Sequence, residues 1–268
     1  MLELSAEKLE AIQSMTAFDD VFITTFFDRK TVEFLLRLIL KKPELSVRDI
    51  TFEQVLDDPV SKGVRLDIRA IDEAGNWMNI EFQIDPKKVS GKRLRYYHSR
   101  MDVQMLQKGQ SYTELPDACV IFICRGDPIG KGKPMYCYRI KDQDNEVLDN
   151  GQLTLVLNAD YPGNWEFKEL MDDLKSACAR DMHYDVFRQR MQSIKEKEDG
   201  LMANNSIVEN YINRQVEERI AKRVEEQVDE EKSSIVLKML KDDMPEEKII
   251  RWAGVTPEFI EHVRETIR

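Results

Sequence analysis

The stretch that decides the fold runs from Val64 to Asp85 and reads VRLDIRAIDEAGNWMNIEFQID. Two segments in which apolar and polar residues alternate flank a short polar loop, Glu73-Ala74-Gly75. Alternation with a period of two residues is typical of half-buried β-strands. A glycine at the end of a three-residue loop suits the left-handed backbone that this kind of hairpin uses. The stretch therefore predicts an antiparallel β-hairpin.

The register of this hairpin brings two acidic residues together. With the three-residue loop, Asp72 pairs with Asn76, and counting back places Asp67 directly across from Glu81. Directly opposed side chains have Cβ atoms roughly 4.5–5.5 Å apart. Two carboxylates at that separation repel each other unless a proton or a cation lies between them, and a hard divalent cation is the usual one. The hairpin therefore predicts a metal site.

An alternative explanation of the two carboxylates stays open at this point. Asp67 and Glu81 would then be ordinary residues of a solvated sheet face, neutralised by Arg65 and Arg69. The register also depends on the loop type, since a slip of one residue would turn Asp67 to the face opposite Glu81. The burial and the pairing of the two residues separate these explanations.

Composition limits the classes of protein to consider. The chain has 268 residues and a formal net charge of −10, which suits one domain with an appendage or two small domains. The acidic balance means that nucleic acid would have to meet local basic patches. Four cysteines without metal-type spacing predict buried thiols of a reducing compartment. The longest apolar run is too short for a bilayer and the N-terminus is unlike a secretory signal, so we expect a cytoplasmic protein without membrane contact.

Two other kinds of site have little support. The histidines His98, His183 and His262 are scattered, which argues against zinc chemistry and histidine-based catalysis. The glycine-rich segment Gly126 to Gly132, GDPIGKG, lacks the strand–loop–helix setting of a phosphate-binding P-loop. The hairpin carboxylates are therefore the main candidates for chemistry.

The remaining periodicities predict an α/β (α+β) core with a sheet at its centre. Helices are predicted at about 5–15, 28–40, 91–108 and 166–191, and further strands at about 49–56, 119–124, 135–140 and 153–157. Gly109 is expected to cap the third of these helices. The continuous apolar run at 119–124 indicates a strand buried on both faces.

The C-terminal part has a different character. We predict a first domain at 1–195, a charged helix or linker at 196–232, and a small helical module at 233–268. The helix at 207–232 carries a narrow apolar stripe, which favours packing on the domain or a homodimer, with a solitary charged helix as the alternative. Three short helices in succession suggest a helix-turn-helix, but acidic residues line the last helix and would repel DNA phosphates. We therefore favour a packing or dimerisation module over a DNA-binding one.

The ordered motifs resemble the PD-(D/E)XK nuclease superfamily. There an Asp ends one strand of a hairpin and an E-x-K opens the next; here Asp67 is followed by Glu81-Phe82-Gln83, with glutamine in place of lysine. More closely, the chain resembles the Rpn family of recombination-promoting nucleases, or PD-(D/E)XK nuclease family transposases, from about Asp19 to Arg125. The matching segments are Asp19–Phe22, Arg65–Ala70, Ile80–Gln83, Lys92–Tyr97 and Gln104–Tyr112.

The resemblance implies a restriction-endonuclease-like core, with a central mixed sheet flanked by helices, and a Mg²⁺ site with Mn²⁺ as an alternative. Asp67, Glu81 and the backbone carbonyl of Phe82 would bind the metal ion. Gln83 can orient water or donate to a phosphate oxygen but cannot serve as a base. By family position Asp19 completes the metal shell, with Asp20 as the fallback.

A dense basic patch lies beside the implied site in the sequence and suits DNA as the partner. It comprises Lys87, Lys88, Lys92, Arg93 and Arg95. Within the same helix, Tyr97 is expected in the core rather than on the nucleic acid. The leading hypothesis is a Mg²⁺-dependent DNA endonuclease linked by family to recombination or mobile elements. The alternative is a binding or scaffold protein that keeps the fold without turnover.

Overall fold

The computed structural model describes residues 6–58, 61–197, 232–242 and 244–265. The chain divides into two compact units, Met1–Val208 and Glu209–Arg268. The finer division predicted at 195 and 232 stays a prediction. The predicted helix at 207–232 lies, apart from its last residue, outside the described residues, and so does any dimer contact through it.

A six-stranded mixed sheet forms the centre of the first unit. The strands are β1 (Val47–Asp58), β2 (Ser61–Asp72), β3 (Trp77–Gln83), β4 (Ala118–Cys124), β5 (Met135–Tyr138) and β6 (Gln152–Asn158). Their order is β1-β2-β3-β4-β6-β5. The first three are antiparallel, β3, β4 and β6 are parallel, and β5 runs antiparallel to β6. Because parallel strands end at the same side of a sheet, the carboxyl ends of β3, β4 and β6 lie along one edge. The mixed sheet flanked by helices confirms the predicted fold class.

Helices flank this sheet. They are α1 (Ala6–Ser14), α2 (Asp20–Phe26), α3 (Arg29–Leu40), α4 (Gly91–Met105), α5 (Lys168–Lys175) and α6 (Asp185–Lys195). In α3 the apolar residues Val32, Leu35, Leu36 and Ile39 are buried, and Asp28 caps the helix through Thr31. The predicted C-cap of α4 is wrong: the helix ends at Met105 because Leu106 takes an extended conformation, and Gly109 serves the following turn.

The single helix predicted at 166–191 is also wrong. The chain leaves α5 at Lys175, makes a short 3₁₀ turn, and enters α6 at Asp185. The buried carboxylate of Asp173 accepts the backbone N–H groups of His183 (2.6 Å) and Tyr184 (2.9 Å), which draws the chain back on itself. These long-range bonds break a helix that neither proline nor glycine interrupts.

The described part of the second unit, residues 232–242 and 244–265, forms short helices. Residues 232–241 form α7, followed by α8 (Glu246–Ala253) and α9 (Pro257–Glu265). Gly254 ends α8 with a left-handed backbone, φ 62°. A small apolar core consists of Val236, Ile249, Val255, Ile260 and Val263. Within the described parts of both units, no helix is long and apolar enough to cross a membrane.

Candidate active site

The hairpin has the predicted register. Ile68 pairs with Ile80 and Ile71 with Trp77, which sets Asp67 opposite Glu81. Beyond the Ile68–Ile80 pair the two strands are joined through the carboxylates. The N–H of Asp67 donates to Oε1 of Glu81 at 3.1 Å, and the N–H of Phe82 donates to Oδ2 of Asp67 at 3.0 Å. The two acidic residues are therefore in direct contact.

The pair does not lie on a solvated sheet face. Glu81 is 3% exposed, its neighbour Asn79 is fully buried, and Asp67 is half-buried. The arginines that would have neutralised a surface pair have other partners: Arg65 pairs with Glu53 at 3.4 Å and Arg69 with Asp49 at 2.5 Å. The period-two pattern of β3 had indicated one polar, half-exposed face, whereas the strand is buried on both faces from Met78 to Phe82.

The Glu81 carboxylate is held by neighbours that the sequence analysis missed. Oε1 accepts from the side-chain amide of Asn79 at 2.9 Å, and Oε2 accepts from the hydroxyl of Tyr97 at 3.1 Å. The ring of Tyr97 is buried edge-on against Phe122, so its predicted core position is confirmed. The sequence contained one signal that Tyr97 lies beside Arg93: the two residues are four positions apart on α4, and residues i and i+4 share a helix face.

Burial shifts the protonation of both acids in the same direction. Burial, opposed by the Phe82 N–H and assisted by the negative charge of Asp20, raises the pKa of Asp67 from 3.8 to about 6. Burial and then the charge of Asp67 raise the pKa of Glu81 well above its ordinary 4.5. The pair therefore resists carrying two negative charges together, and a proton or a cation relieves the repulsion.

Arg93 is a cation that α4 brings to this pair. Its Nη1 donates to Oε1 of Gln83 at 2.8 Å, and its Nη2 lies 3.9 Å from Oε2 of Glu81. The guanidinium also donates to the Tyr97 hydroxyl at 3.1 Å and lies 5.2 Å from the ring centre of Phe122. The rest of the predicted basic patch is exposed: Lys87, Lys88, Lys92 and Arg95.

Asp19 and Asp20, at the start of α2, were the two candidates for a third acidic residue, and Asp20 is the one whose charge acts on Asp67. The Asp19 carboxylate accepts the N–H of Thr16 at 2.8 Å and its hydroxyl at 3.1 Å, which closes the turn before α2. Asp20 lies 3.8 Å from Arg65, and its charge acts on Asp67. Asp20 is therefore the one of the two whose charge is shown to act on Asp67, and which of them completes a metal shell stays a prediction.

Strand β1 is distorted opposite the pair. Phe52 and Gln54 pair with Ile68 and Leu66, so Glu53 lies across from Asp67. Glu53 has a left-handed backbone, φ 49°, which is uncommon for a residue other than glycine. Backbone strain of this kind concentrates at functional sites. No feature of the sequence marks this position.

The donor set fits a hard divalent cation with few protein ligands. Asp67 and Glu81 supply carboxylate oxygens on directly opposed residues, and the mutual repulsion of their charges is what a cation would relieve. Over the described ranges, no group of three or more His, Cys, Asp and Glu residues is arranged to hold a metal ion. A cation here would need backbone oxygen and water to complete its shell, which suits Mg²⁺ because it keeps several waters.

Comparison with known families agrees with this geometry. The family model described as PD-(D/E)XK nuclease family transposase matches residues 17–161, more than half of the chain. The chain belongs to this family. The match takes in α2, α3, the hairpin with Asp67 and Glu81, α4 and all remaining strands of the sheet. Searches among curated proteins and among solved structures found no match. Membership of the PD-(D/E)XK nuclease family transposases indicates a nuclease-like protein of a class that usually uses divalent metals.

Proposed function

We propose that this protein is a Mg²⁺-dependent DNA endonuclease that hydrolyses phosphodiester bonds, with Mn²⁺ as an alternative metal. The observation that carries the proposal is the contact of half-buried Asp67 with buried Glu81 on the hairpin of a PD-(D/E)XK family member. The family description further links the protein to recombination or mobile elements.

Asp67, Glu81 and the backbone carbonyl of Phe82 would hold the metal ion. When bound, such an ion supplies a polarised water and offsets charge on the phosphate. Asn79 and Tyr97 act as positioning residues, because their hydrogen bonds fix the orientation of the Glu81 carboxylate. We place Asp20, rather than Asp19, as the third acidic residue next to the pair.

Gln83 and Arg93 divide the role that a lysine has in the wider superfamily. The Gln83 side-chain oxygen accepts from Arg93, so its NH₂ group is the part left to orient water or donate to a phosphate oxygen. Gln83 carries no charge, and Arg93 supplies the positive charge beside Glu81. A guanidinium suits this role because it donates to several oxygens from one plane.

Replacement of Arg93 tests this division of roles. Arg93→Gln should lower the single-turnover cleavage rate by ~10²–10³-fold, the scale of losing one positioned electrostatic donor. Arg95→Gln is the matched control, because it removes the same charge from an exposed position on the same helix. Equal rates for the two variants would contradict a role for Arg93 at the reacting phosphate.

Plasmid cleavage by the full-length wild-type protein tests the function itself. We expect nicked or linear product with Mg²⁺ or Mn²⁺ and none in EDTA. Cleavage that persists in EDTA would point to another site or to a contaminating nuclease. Metal-independent DNA binding without cleavage would favour the alternative, a nucleic-acid-binding or scaffold protein. Gln83 also suits that alternative, because it stands where the wider superfamily has a lysine.

A further inference from the structure

The glycine-rich loop between β4 and β5, which we call the 126–133 loop, is organised by a single carboxylate. Asp127 accepts hydrogen bonds of 2.7–3.0 Å from the N–H groups of Ile129, Gly130 and Gly132 and from the Tyr136 hydroxyl. Partial burial acts against ionisation, but these bonds hold the pKa of Asp127 below its ordinary value. The carboxylate occupies the N–H cluster that a nucleotide phosphate would need, so the loop is not a nucleotide cradle.

The same tyrosine fixes the two lysines of the loop. The Tyr136 hydroxyl accepts the backbone N–H groups of Lys131 and Lys133, each at 3.2 Å. The backbone at both lysines is therefore held in place, while both side chains are exposed. A preorganised backbone lowers the entropy that a binding surface loses when it meets a ligand.

The loop lies at the carboxyl edge of the sheet, beside the candidate active site. At one end the N–H of Arg125 donates to the carbonyl of Gln83 at 2.8 Å, and at the other the N–H of Asn158 donates to the carbonyl of Pro134 at 2.8 Å. Gly126 approaches Pro86, the residue before Lys87 and Lys88, so closely that an added Cβ would lie 3.4 Å from its Cγ. The loop therefore adjoins the basic segment that precedes α4.

The charges of this loop are available to a ligand. Neither Lys131 nor Lys133 forms an ion pair with any residue in the described ranges, whereas the neighbouring Arg125 is bound to Asp160 at 2.9 Å. The Asp127 carboxylate is itself hydrogen-bonded to backbone N–H groups of the loop. In a chain of net charge −10, two such ammonium groups next to a phosphodiester site form a local attraction for an anionic polymer.

We propose that Lys131 and Lys133 bind the phosphate backbone of the substrate DNA and extend the basic patch of Lys87–Arg95 along the carboxyl edge. The inference rests on the proposed nuclease function for the identity of its ligand. Backbone contacts of this kind position a duplex without reading its sequence, so the effect is the same for duplexes of different sequence.

The test compares two double variants of the full chain. Lys131→Ala with Lys133→Ala removes the loop charges, and Lys108→Ala with Lys141→Ala removes two exposed lysines at the opposite edge, after α4 and beyond β5. Binding of labelled DNA duplexes of two sequences is measured without divalent metal over a range of salt. Loss of two phosphate contacts should reduce the salt slope of log K by ~1.8 and weaken binding roughly 10–100-fold near 0.1 M salt. The control pair should keep the wild-type slope.

The outcomes separate this inference from the nuclease proposal. A loop variant that retains the wild-type slope, or a wild-type protein that binds no duplex even at low salt, would overturn the inference. If the wild-type protein cleaves DNA and the loop variant binds DNA normally, the nuclease proposal is kept and only the proposed role of the loop lysines is rejected. Salt-dependent binding that needs the loop lysines, without cleavage in Mg²⁺, supports the inference and contradicts the nuclease proposal.

Discussion

Asp67→Asn and Glu81→Gln are each expected to abolish metal-dependent cleavage while the metal-free protein becomes more stable. Cleavage should fall by at least ~10²–10³-fold, since each change removes a charged group placed to act on the reacting centre. Stability at pH 8 should rise in both variants, because either amide removes one of two neighbouring acidic groups that repel each other. For Asp67→Asn the rise should be on the order of 1–3 kcal/mol, from a pKa raised from 3.8 to about 6. Opposite effects on activity and stability distinguish a functional pair from a structural one.

Plasmid cleavage and urea unfolding of the same preparations provide the two measurements. Asp49→Asn is a suitable control, because it neutralises a half-exposed carboxylate of β1 that pairs with Arg69 rather than with the site. This control should leave cleavage near the wild-type rate. Wild-type cleavage by both Asp67→Asn and Glu81→Gln would mean that the chemistry lies elsewhere in the protein. Lower stability in both would mean that the carboxylates stabilise the fold.

The second large effect is a dependence of stability on pH that divalent metal should suppress. The folded state raises the pKa of Asp67 from 3.8 to about 6 and raises that of Glu81 from 4.5. Protons are therefore bound more tightly in the folded state, and the stability contributed by these groups is fully present below about pH 4. The contribution of Asp67, about 3 kcal/mol, is lost as pH rises through about 6, and that of Glu81 is lost as pH rises through its own raised pKa.

A bound divalent cation replaces the proton between the carboxylates, so its stabilising effect should grow with pH. We expect a larger increase in the free energy of unfolding on adding Mg²⁺ at pH 8 than at pH 5. Other charged or titratable groups face the pair and contribute to the pH profile: Asp20 from α2, Arg65 from β2, and Arg93 and Tyr97 from α4. The difference between wild type and Glu81→Gln isolates the pair, because the variant keeps those groups. A metal effect that is equal at both pH values would contradict a cation site at Asp67 and Glu81.

The hairpin, its register and the contact between Asp67 and Glu81 could be predicted from the sequence. These features depend on short-range causes: a period-two pattern, and a three-residue loop with glycine at a left-handed position, φ 89° at Gly75. The short helices of the second unit were predictable for the same reason, since apolar spacing, Gly254 and Pro257 define them locally. The dense run of basic residues before and within α4 identified Arg93 as one of several candidates for contact with nucleic acid.

Tertiary structure alone decided which of these groups meet and how deeply they are buried. Glu81 lies in an inner strand, and α4 places Tyr97 and Arg93 against it. A pattern typical of a half-exposed strand therefore corresponds to a strand buried on both faces, with Glu81 inside it. Likewise Asp173 interrupts a continuous helical pattern through bonds to residues ten and eleven positions away. Periodicity and turn residues report interactions between neighbours in the chain. Burial, the raised pKa values and the partners of Arg93 arise from contacts between distant segments, which exist only once the sheet and its helices have packed.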